Sequence, residues 1–190
     1  MNLPSDGDVC AFPCRLYGYY CVNLPAGHTM KRITYSPIGV IHSPYKKPEG
    51  TPIQPGSRIE VAGTVEVFDK FAEGLKDLEG FSHIILVCHF HLVSGYELQV
   101  FPFMDDREHG VFATRSPRRP NPIGISVVRL DGIEKNILRV SHLDIVDGTP
   151  VLDLKPHVSR FDAGRPERIG WLEDHIQKLR ETKDDGRFTP

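Results

Sequence analysis

The sequence predicts a mainly β protein whose strands close into a single barrel-like domain, with one short helix and one C-terminal helix. Several short stretches of alternating apolar and polar residues follow one another at close spacing, and Gly, Pro or Asp separates most of them. This pattern is typical of antiparallel barrels. No strand–helix–strand rhythm is visible and no GxGxxG motif follows a strand, so a Rossmann sheet is not expected.

The predicted strands begin at residue 33. The first covers residues 33–43 and is interrupted by Pro37, and the second covers residues 58–68 with its apolar side chains on one face. The Pro- and Gly-rich loop KKPEGTPIQPGSR separates them, and a loop of this length inside a compact domain usually serves binding. Further strands are predicted at residues 83–93, 96–103, 110–115, 123–130 and 137–145.

Both helices are predicted from apolar residues that recur at spacings of three and four. The short helix begins at Phe68 and is closed by Gly80. The C-terminal helix covers residues 167–182, with an apolar face expected to pack on the barrel or on a second subunit. These elements predict an irregular N-terminal extension at 1–29, a barrel domain at 30–165, and a C-terminal helix and tail at 166–190. Met30 is a candidate start of the folded unit.

Composition limits the classes of function. A chain of 190 residues with 39% hydrophobic residues can bury one core, whereas a net charge of -2 argues against a globally basic nucleic-acid binder. Any RNA contact would require a local basic patch. No apolar run approaches the roughly 18 residues of a membrane span and no secretory pattern is present, so we expect a cytoplasmic protein without membrane contact. Cys10, Cys14 and Cys21 fit no zinc spacing, and no metal is expected.

The segment GVFATRSPRRPNPIG, residues 110–124, is the candidate basic patch. Residues 109–130 contain four arginines and no acidic residue, and the prolines stiffen the loop that would hold guanidinium groups toward phosphate or carboxylate. Arg115, Arg118 and Arg119 are the candidate cations. Asn121, fixed between two prolines, is a candidate for reading a base edge or capping the turn. The alternative is a surface loop whose arginines pair with the acidic residues at positions 105, 106 and 108.

Two histidines and two aspartates are the remaining residues with a possible role in catalysis or ligand binding. His89 and His91 face the same side of a predicted strand. Such a pair occurs in metal-dependent β-barrel enzymes, but no third and fourth ligand is recognisable, so lining of a cofactor pocket is favoured. Asp144 lies on a predicted strand. Asp147 belongs to an Asp-Gly turn, where a structural role competes with a functional one.

Five segments between residues 34 and 160 resemble, in the same order, the TsaA-like family of S-adenosylmethionine-dependent tRNA methyltransferases. The segments are IGVIHSPY (38–45), TPIQPG (51–56), LKDLEGFSHIILVCHFH (75–91), GVFATRSPRRPNPIG (110–124) and LDIVDGTPVLDLKP (143–156). The resemblance implies a single barrel-like domain, a homodimer, and S-adenosyl-L-methionine bound at a site unlike that of Rossmann methyltransferases. It further implies methylation of N6 of the (threonylcarbamoyl)adenosine beside the anticodon, tRNA position 37.

The resemblance also implies which positions bind the cofactor. These positions are Pro52, Ile53, Gln54, His91, Leu92, Arg115, Ile125, Asp144 and Asp147. Gln54 can hydrogen-bond an adenine, and Arg115 suits the methionine carboxylate. The sequence departs from the family pattern at Ile53, where bacterial members usually carry an arginine.

The substrate side is expected to use other residues. Arg118 or Arg119 would bind the threonyl carboxylate, and Asn121 stands beside them as a further RNA-binding candidate. Because the acylated N6 is a poor nucleophile, a base could assist, and Asp147 or His157 are the candidates. His157 stands where a tyrosine is common in the family. A non-catalytic S-adenosylmethionine- or RNA-binding module, and a metal-dependent barrel enzyme, remain the competing interpretations.

Overall fold

The structure, a computed structural model, describes residues 33–54, 61–162, 164 and 168–189. The chain divides into two units, Met1–Tyr35 and Ser36–Pro190, and the elements below belong to the second. The predicted extension at 1–29, with its three cysteines, lies outside the described residues. Within the described residues, no helix combines the length and apolar character that crossing a membrane would require.

Short strands dominate the described part of the chain. They are β1 (Gly39–His42), β2 (Gly63–Val67), β3 (His83–His89), β4 (Gln99–Val100), β5 (His109–Gly110), β6 (Ile123–Glu134), β7 (Ile137–Ser141) and β8 (Pro150–Pro156). Six of them close into a barrel in the order β1-β2-β7-β6-β3-β8, and β4 pairs with β5 outside it. Every neighbouring pair in the barrel is antiparallel. The prediction of a mainly β, barrel-like, non-Rossmann fold is confirmed.

Alternation along the strands separates the core from the outer face. In β3 the side chains of Ile84, Leu86 and Cys88 are buried, and they meet buried positions of β6 across a register that pairs Cys88 with Gly124. Each fully buried aliphatic side chain contributes roughly 1.5 to 3 kcal/mol. The intervening residues of β6 point outward, and Ile125 is 65% exposed. The barrel therefore carries an exposed apolar strip on its β6 face.

Strand β8 was not expected from the sequence, yet it closes the barrel between β1 and β3. It begins at Pro150 and ends at Pro156, and proline is tolerated at strand ends because the missing backbone donor is not needed there. The prediction of a strand at 110–115 is wrong. Only the pair His109–Gly110 is a strand, and Val111–Ala113 forms a 3-10 turn.

The two predicted helices form as 3-10 segments. The first predicted helix forms Asp69–Leu75 and Leu78–Gly80, which are separated at Asp77, a residue with φ of 66°. The C-terminal region forms Gly170–Asp174 and Ile176–Arg180, separated at His175. Gly170 has φ of 62° and His175 has φ of -120°, so neither permits one continuous helix. A short α-helix, Ser159–Asp162, precedes this region.

The end of the chain returns to the barrel. Lys183 forms a β-bridge with Pro52, and the backbone N–H of Asp184 donates to Thr51 O at 2.9 Å. Phe188 is buried and packs edge-to-face on Phe103 with ring centres 5.0 Å apart. These contacts bring the C-terminal segment beside the loop that follows β1.

Candidate active site

A cavity of about 820 Å³ opens at the end of the barrel where β3 ends and β6 begins. Its walls also come from residues 51–54, from residues 112–119 and from the C-terminal segment 171–189. This volume lies within the roughly 300 to 1,000 Å³ that is typical of small-molecule and cofactor sites. The cavity is the candidate active site.

Gly124 leaves room for the side chains of Phe90 and Cys88, which line the cavity with it. A Cβ atom at this position would lie 2.7 Å from Cε1 of Phe90 and 3.0 Å from Sγ of Cys88, well inside normal contact distance. A larger residue at the end of the PNPIG segment would therefore force the side chain of Phe90 or Cys88 to move.

Arg115 and Gln54 join two walls of the cavity. The Arg115 Nη1 group donates a hydrogen bond to Gln54 Oε1, across 61 positions of sequence. Both side chains line the cavity. A guanidinium has five donors, so most of those of Arg115 remain able to bind a carboxylate.

Asp144 is the most perturbed acid of the cavity. Its carboxylate accepts a hydrogen bond from Ser126 Oγ at 2.6 Å. Burial raises the pKa of Asp144 to about 6, although the bond from Ser126 and the positive charge of Arg115 act in the opposite direction. A carboxyl group that titrates this close to neutral pH can exchange protons with a ligand.

Cys88 lies beside Asp144 but does not provide a nucleophile. Burial, and then the nearby charge of Asp144, raise the pKa of the Cys88 thiol to about 12. Because the thiolate is the reactive form, this buried free cysteine is inert at neutral pH.

The remaining lining is largely apolar and continues onto the surface. Leu92, Ile123 and Ile125 line the cavity and are exposed, and Phe112 is 75% exposed at its edge. His91 also lines the cavity, and burial lowers its pKa. The cavity therefore combines a few polar groups with an apolar rim.

The structure brings most of the predicted cofactor positions together. Eight of the nine line this cavity: Pro52, Ile53, Gln54, His91, Leu92, Arg115, Ile125 and Asp144. The ninth, Asp147, is not part of the lining. It accepts a hydrogen bond from the backbone N–H of Ser43 at 2.9 Å and pairs with Lys46 at 2.8 Å. The bond from Lys46 is the main cause of a lowered pKa at Asp147, which makes this carboxylate a weak base.

His157 is also placed away from the cavity. Its backbone N–H donates to His83 O, and the two imidazole rings are 6.3 Å apart. His83 begins β3, whereas the cavity lies beyond the other end of that strand. The structure does not bring Asp147 or His157 together with the other predicted site residues within one chain.

The three arginines of the predicted basic patch have different positions. Arg115 and Arg119 line the cavity, but Arg118 does not. Arg118 pairs with Glu97 at 2.5 Å, and its Nε donates to Phe188 O at 3.1 Å, so it holds two distant segments together. Asn121 is exposed and lies outside the lining. The alternative pairing with the acidic residues just upstream is not observed for Arg118.

The arrangement of the histidines does not indicate a metal site in the described residues. Strand β3 ends at His89, so His91 lies beyond the strand instead of sharing a strand face with His89. Within residues 33–54, 61–162, 164 and 168–189, no group of three or more His, Cys, Asp or Glu side chains is arranged to hold a metal ion.

Several site residues were not expected from the sequence. Ser126 and Trp171 both line the cavity. Ser126 occupies an inward position of β6 that the alternation could have marked as a polar residue in an apolar row. Trp171 belongs to the C-terminal segment, and no sequence pattern placed that segment at the site.

Comparison with known proteins identifies a family model and several relatives. Residues 40–163 match the model described as tRNA-methyltransferase O N-terminal domain. A probable S-adenosyl-L-methionine-binding protein of Pyrococcus abyssi is 58% identical over 82% of this chain and 85% of its own length. The tRNA (adenine(37)-N6)-methyltransferase of Escherichia coli is 39% identical over 68% of this chain and 59% of its own length.

Solved structures give the same similarity. The crystal structure of TrmO from Pseudomonas aeruginosa has a TM-score of 0.60 and 40% identity, covering 73% of this chain and 62% of that chain. Another TrmO crystal structure has a TM-score of 0.62 and 39% identity, covering 76% of this chain and 64% of that chain. The chain thus spans less than two thirds of the length of these TrmO proteins.

Proposed function

Because this chain belongs to the tRNA-methyltransferase O N-terminal domain family, we propose that it transfers a methyl group from S-adenosyl-L-methionine to N6 of adenine 37 in tRNA, the reaction named for its Escherichia coli relative. One observation carries the proposal. Eight of the nine positions predicted to bind the cofactor, spread from residue 52 to residue 144, line one cavity whose volume is typical of cofactor sites. The substrate and the cytoplasmic location that a tRNA substrate implies are parts of the same proposal.

The residues of the cavity suit this cofactor. Arg115 would bind the methionine carboxylate, Gln54 the adenine edge, and the apolar side chains of Leu92 and Ile125 the remainder of the molecule. When bound, S-adenosyl-L-methionine supplies an electrophilic methyl group on a sulfonium. The protein's task is then alignment of N6 with that methyl group.

We assign the proton acceptor to Asp144 in preference to Asp147 and His157. When N6 receives the methyl group and S-adenosylhomocysteine is the leaving product, the Asp144 carboxylate would accept the proton that N6 loses. The raised pKa of about 6 leaves Asp144 mainly ionised at neutral pH and still basic enough to accept a proton. Asp144 lines the cavity and is therefore accessible to a bound adenine. Asp147 and His157 do not line the cavity.

Arg119 is the proposed partner of the threonyl carboxylate. It lines the cavity, and its Nη1 and Nη2 groups make only long hydrogen bonds of 3.5 Å to the carbonyls of Thr114 and Val111. Arg118, by contrast, already binds Glu97 and Phe188. The expected division is therefore Arg115 for the cofactor and Arg119 for the modified base.

Titration calorimetry tests the cofactor part of this proposal. Purified protein should bind S-adenosyl-L-methionine with about one molecule per chain and micromolar-range affinity, which corresponds to roughly -8 kcal/mol. No heat on titration, together with stoichiometric zinc in elemental analysis, would support the metal-enzyme interpretation instead. Binding without methyl transfer to tRNA would support the non-catalytic module.

We also propose that two copies associate across the apolar rim of the cavity. Phe112 and Ile125 are 75% and 65% exposed, and Leu92 and Ile123 adjoin the same opening. A cluster of exposed apolar side chains is unusual on a monomer, and a second copy could cover part of this rim while the cavity stays open to tRNA.

Substitution of Ile125 by aspartate should convert the dimer into a monomer in light scattering, because a charge would be buried at the contact. Val127→Asp is not a suitable control, since that position is partly buried. Tyr96→Asp, on an exposed residue away from the lining, should leave the mass unchanged. A wild-type protein that is monomeric at micromolar concentration would contradict the proposed association.

A further inference from the structure

The C-terminal segment lies beyond the family match, which ends at residue 163, yet it forms one wall of the cavity. Its contribution is mostly apolar and aromatic: Trp171, Leu172, Ile176 and Leu179. Because these residues lie after the matched domain, none of them is among the predicted cofactor positions, and their role at the cavity is unassigned. The wall they build has a composition suited to a flat, weakly polar ring.

Trp171 is fixed by contacts on two sides. Its ring stacks on that of His109 at a centroid distance of 4.6 Å and an angle of 25°. Its Nε1–H donates to Ala113 O at 2.9 Å, two residues before Arg115. A tryptophan held in this way presents a rigid aromatic surface whose conformational entropy is already lost, which favours stacking of a second ring.

The segment is further held by a carboxylate between two imidazoles. Asp105 Oδ2 lies 3.0 Å from Nε2 of His109 and 3.4 Å from Nε2 of His175, and its side chain is only 11% exposed. His109 is the residue on which Trp171 stacks, so this acid fixes both the stacking partner and the turn that follows Trp171. The stacked pair is therefore stabilised by a carboxylate that is not part of the cavity lining.

The same segment touches both loops that carry polar cofactor positions. The backbone of Asp184 pairs with Gly50 and Thr51, next to the loop of Gln54. The indole of Trp171 binds the loop of Arg115. The C-terminal segment thus links the two sides of the Arg115–Gln54 contact.

We propose that Trp171 is a ligand-contacting residue of this site, against which a purine ring packs, and that the C-terminal segment completes the cavity by presenting it. This inference rests on the proposed function, because it concerns the ligand of the same cavity. The purine is either the adenine of the cofactor or the target adenine of tRNA. Both candidates present an adenine ring, and binding experiments with the cofactor product and with RNA distinguish them.

Trp171 is the single tryptophan of the chain, so intrinsic fluorescence reports on this wall without any label. Wild-type protein is titrated with S-adenosylhomocysteine, and separately with an unmodified anticodon stem-loop RNA, while calorimetry follows binding in the same samples. Saturable quenching by S-adenosylhomocysteine, and protection of Trp171 from acrylamide, identify the cofactor purine. Quenching only on addition of RNA identifies the target base.

Three variants separate contact from folding. Trp171→Ala should weaken binding of the quenching ligand about ten-fold or more, as loss of a stacking partner does. Trp171→Phe keeps an aromatic surface and loses the bond to Ala113, and it should retain affinity within about three-fold of wild type. Tyr96→Ala, an exposed aromatic outside the lining, is the matched control and should bind as wild type.

Calorimetric binding of the cofactor and of RNA without any fluorescence change, and with unaltered affinity in Trp171→Ala, would overturn the inference and leave the proposed function intact. Failure of the cofactor to bind at all in calorimetry would overturn both. Because the fluorescence titrations use the wild-type protein, they decide the question even where Trp171→Ala does not fold.

Discussion

Substitution of Arg115 by alanine is expected to weaken S-adenosyl-L-methionine binding by roughly 1.5 to 3 kcal/mol, the cost of a charge-assisted hydrogen bond. Arg115 lines the cavity and binds Gln54. Its positive charge also offsets part of the rise in the pKa of Asp144 that burial causes. Its loss removes the proposed partner of the methionine carboxylate and also leaves Asp144 without that charge. Titration calorimetry with the cofactor measures the effect, which corresponds to an affinity about ten- to one-hundred-fold lower.

Arg129→Ala is the matched control for Arg115→Ala. Arg129 is also exposed and lies on β6, but it pairs with Asp131 and is not part of the cavity lining. It should bind the cofactor as wild type. Equal loss of affinity in both variants would mean that general positive charge, and not the Arg115 contact, holds the ligand.

Substitution of Asp144 by asparagine is expected to abolish methyl transfer while stabilising the protein without ligand. In the folded state the pKa of this acid is raised from 3.8 to about 6, so ionisation opposes folding at neutral pH. Because a tenfold change in acidity is equivalent to about 1.4 kcal/mol, this difference in pKa corresponds to roughly 3 kcal/mol of unfolding free energy. Asparagine is neutral and can still accept the hydrogen bond from Ser126 through its amide oxygen.

The gain in unfolding free energy of Asp144→Asn should be large at high pH and disappear at low pH. Above about pH 6 the folded wild type carries the ionised acid, and Asp144→Asn shows its full gain. As pH falls from 6 to 3.8 the folded wild type binds its proton before the unfolded chain does, so the gain decreases and then disappears. Urea denaturation at pH 8 and at pH 4 measures both limits.

Glu134→Gln removes a carboxylate that is 76% exposed and should give no such pH-dependent gain. If Asp144→Asn is less stable than wild type at pH 8, the burial of the charged group is not the dominant cost at this position. If it retains full methyl transfer, Asp144 is not the proton acceptor.

The fold was predictable where side-chain alternation is regular. Strands β3 and β6 alternate buried and outward residues over long stretches, and their pairing builds one side of the barrel. Strand β8 is hard to predict because Asp153, Lys155 and two terminal prolines weaken its apolar pattern. Its identity as a strand depends on partners β1 and β3, which are far away in sequence.

The predicted helical regions form only as short 3-10 segments, because specific residues prevent continuous helices. The spacing of apolar residues in the C-terminal region suits an α-helix, but Gly170 adopts a positive φ and His175 interrupts the next turn. The structure of this segment is set by its contacts with the cavity wall, including the bond from Trp171 to Ala113. Tertiary contacts of this kind override helical periodicity.

The candidate site was predictable as far as short motifs extend. Six of the eight predicted cofactor positions that line the cavity lie within the family segments, and the other two, Leu92 and Ile125, directly follow a segment. The resemblance predicts Asp147 as a cofactor position, and chemistry predicts Asp147 or His157 as a base. The location of these two residues relative to the cavity cannot be derived from their spacing along the chain. Arg118 and Arg119 are neighbours with different contacts, which only the backbone path between Pro117 and Pro120 determines.

Mass spectrometry of tRNA nucleosides after reaction with the purified protein shows directly whether this chain methylates tRNA. Threonylcarbamoyl-modified tRNA and S-adenosyl-L-methionine are incubated with wild type and with Asp144→Asn, and the tRNA is digested and analysed. We expect wild type to add one methyl group to the threonylcarbamoyladenosine at position 37, and Asp144→Asn to add none. An unchanged nucleoside in the wild-type reaction, with cofactor binding intact in calorimetry, would contradict the proposal that this chain is a tRNA methyltransferase.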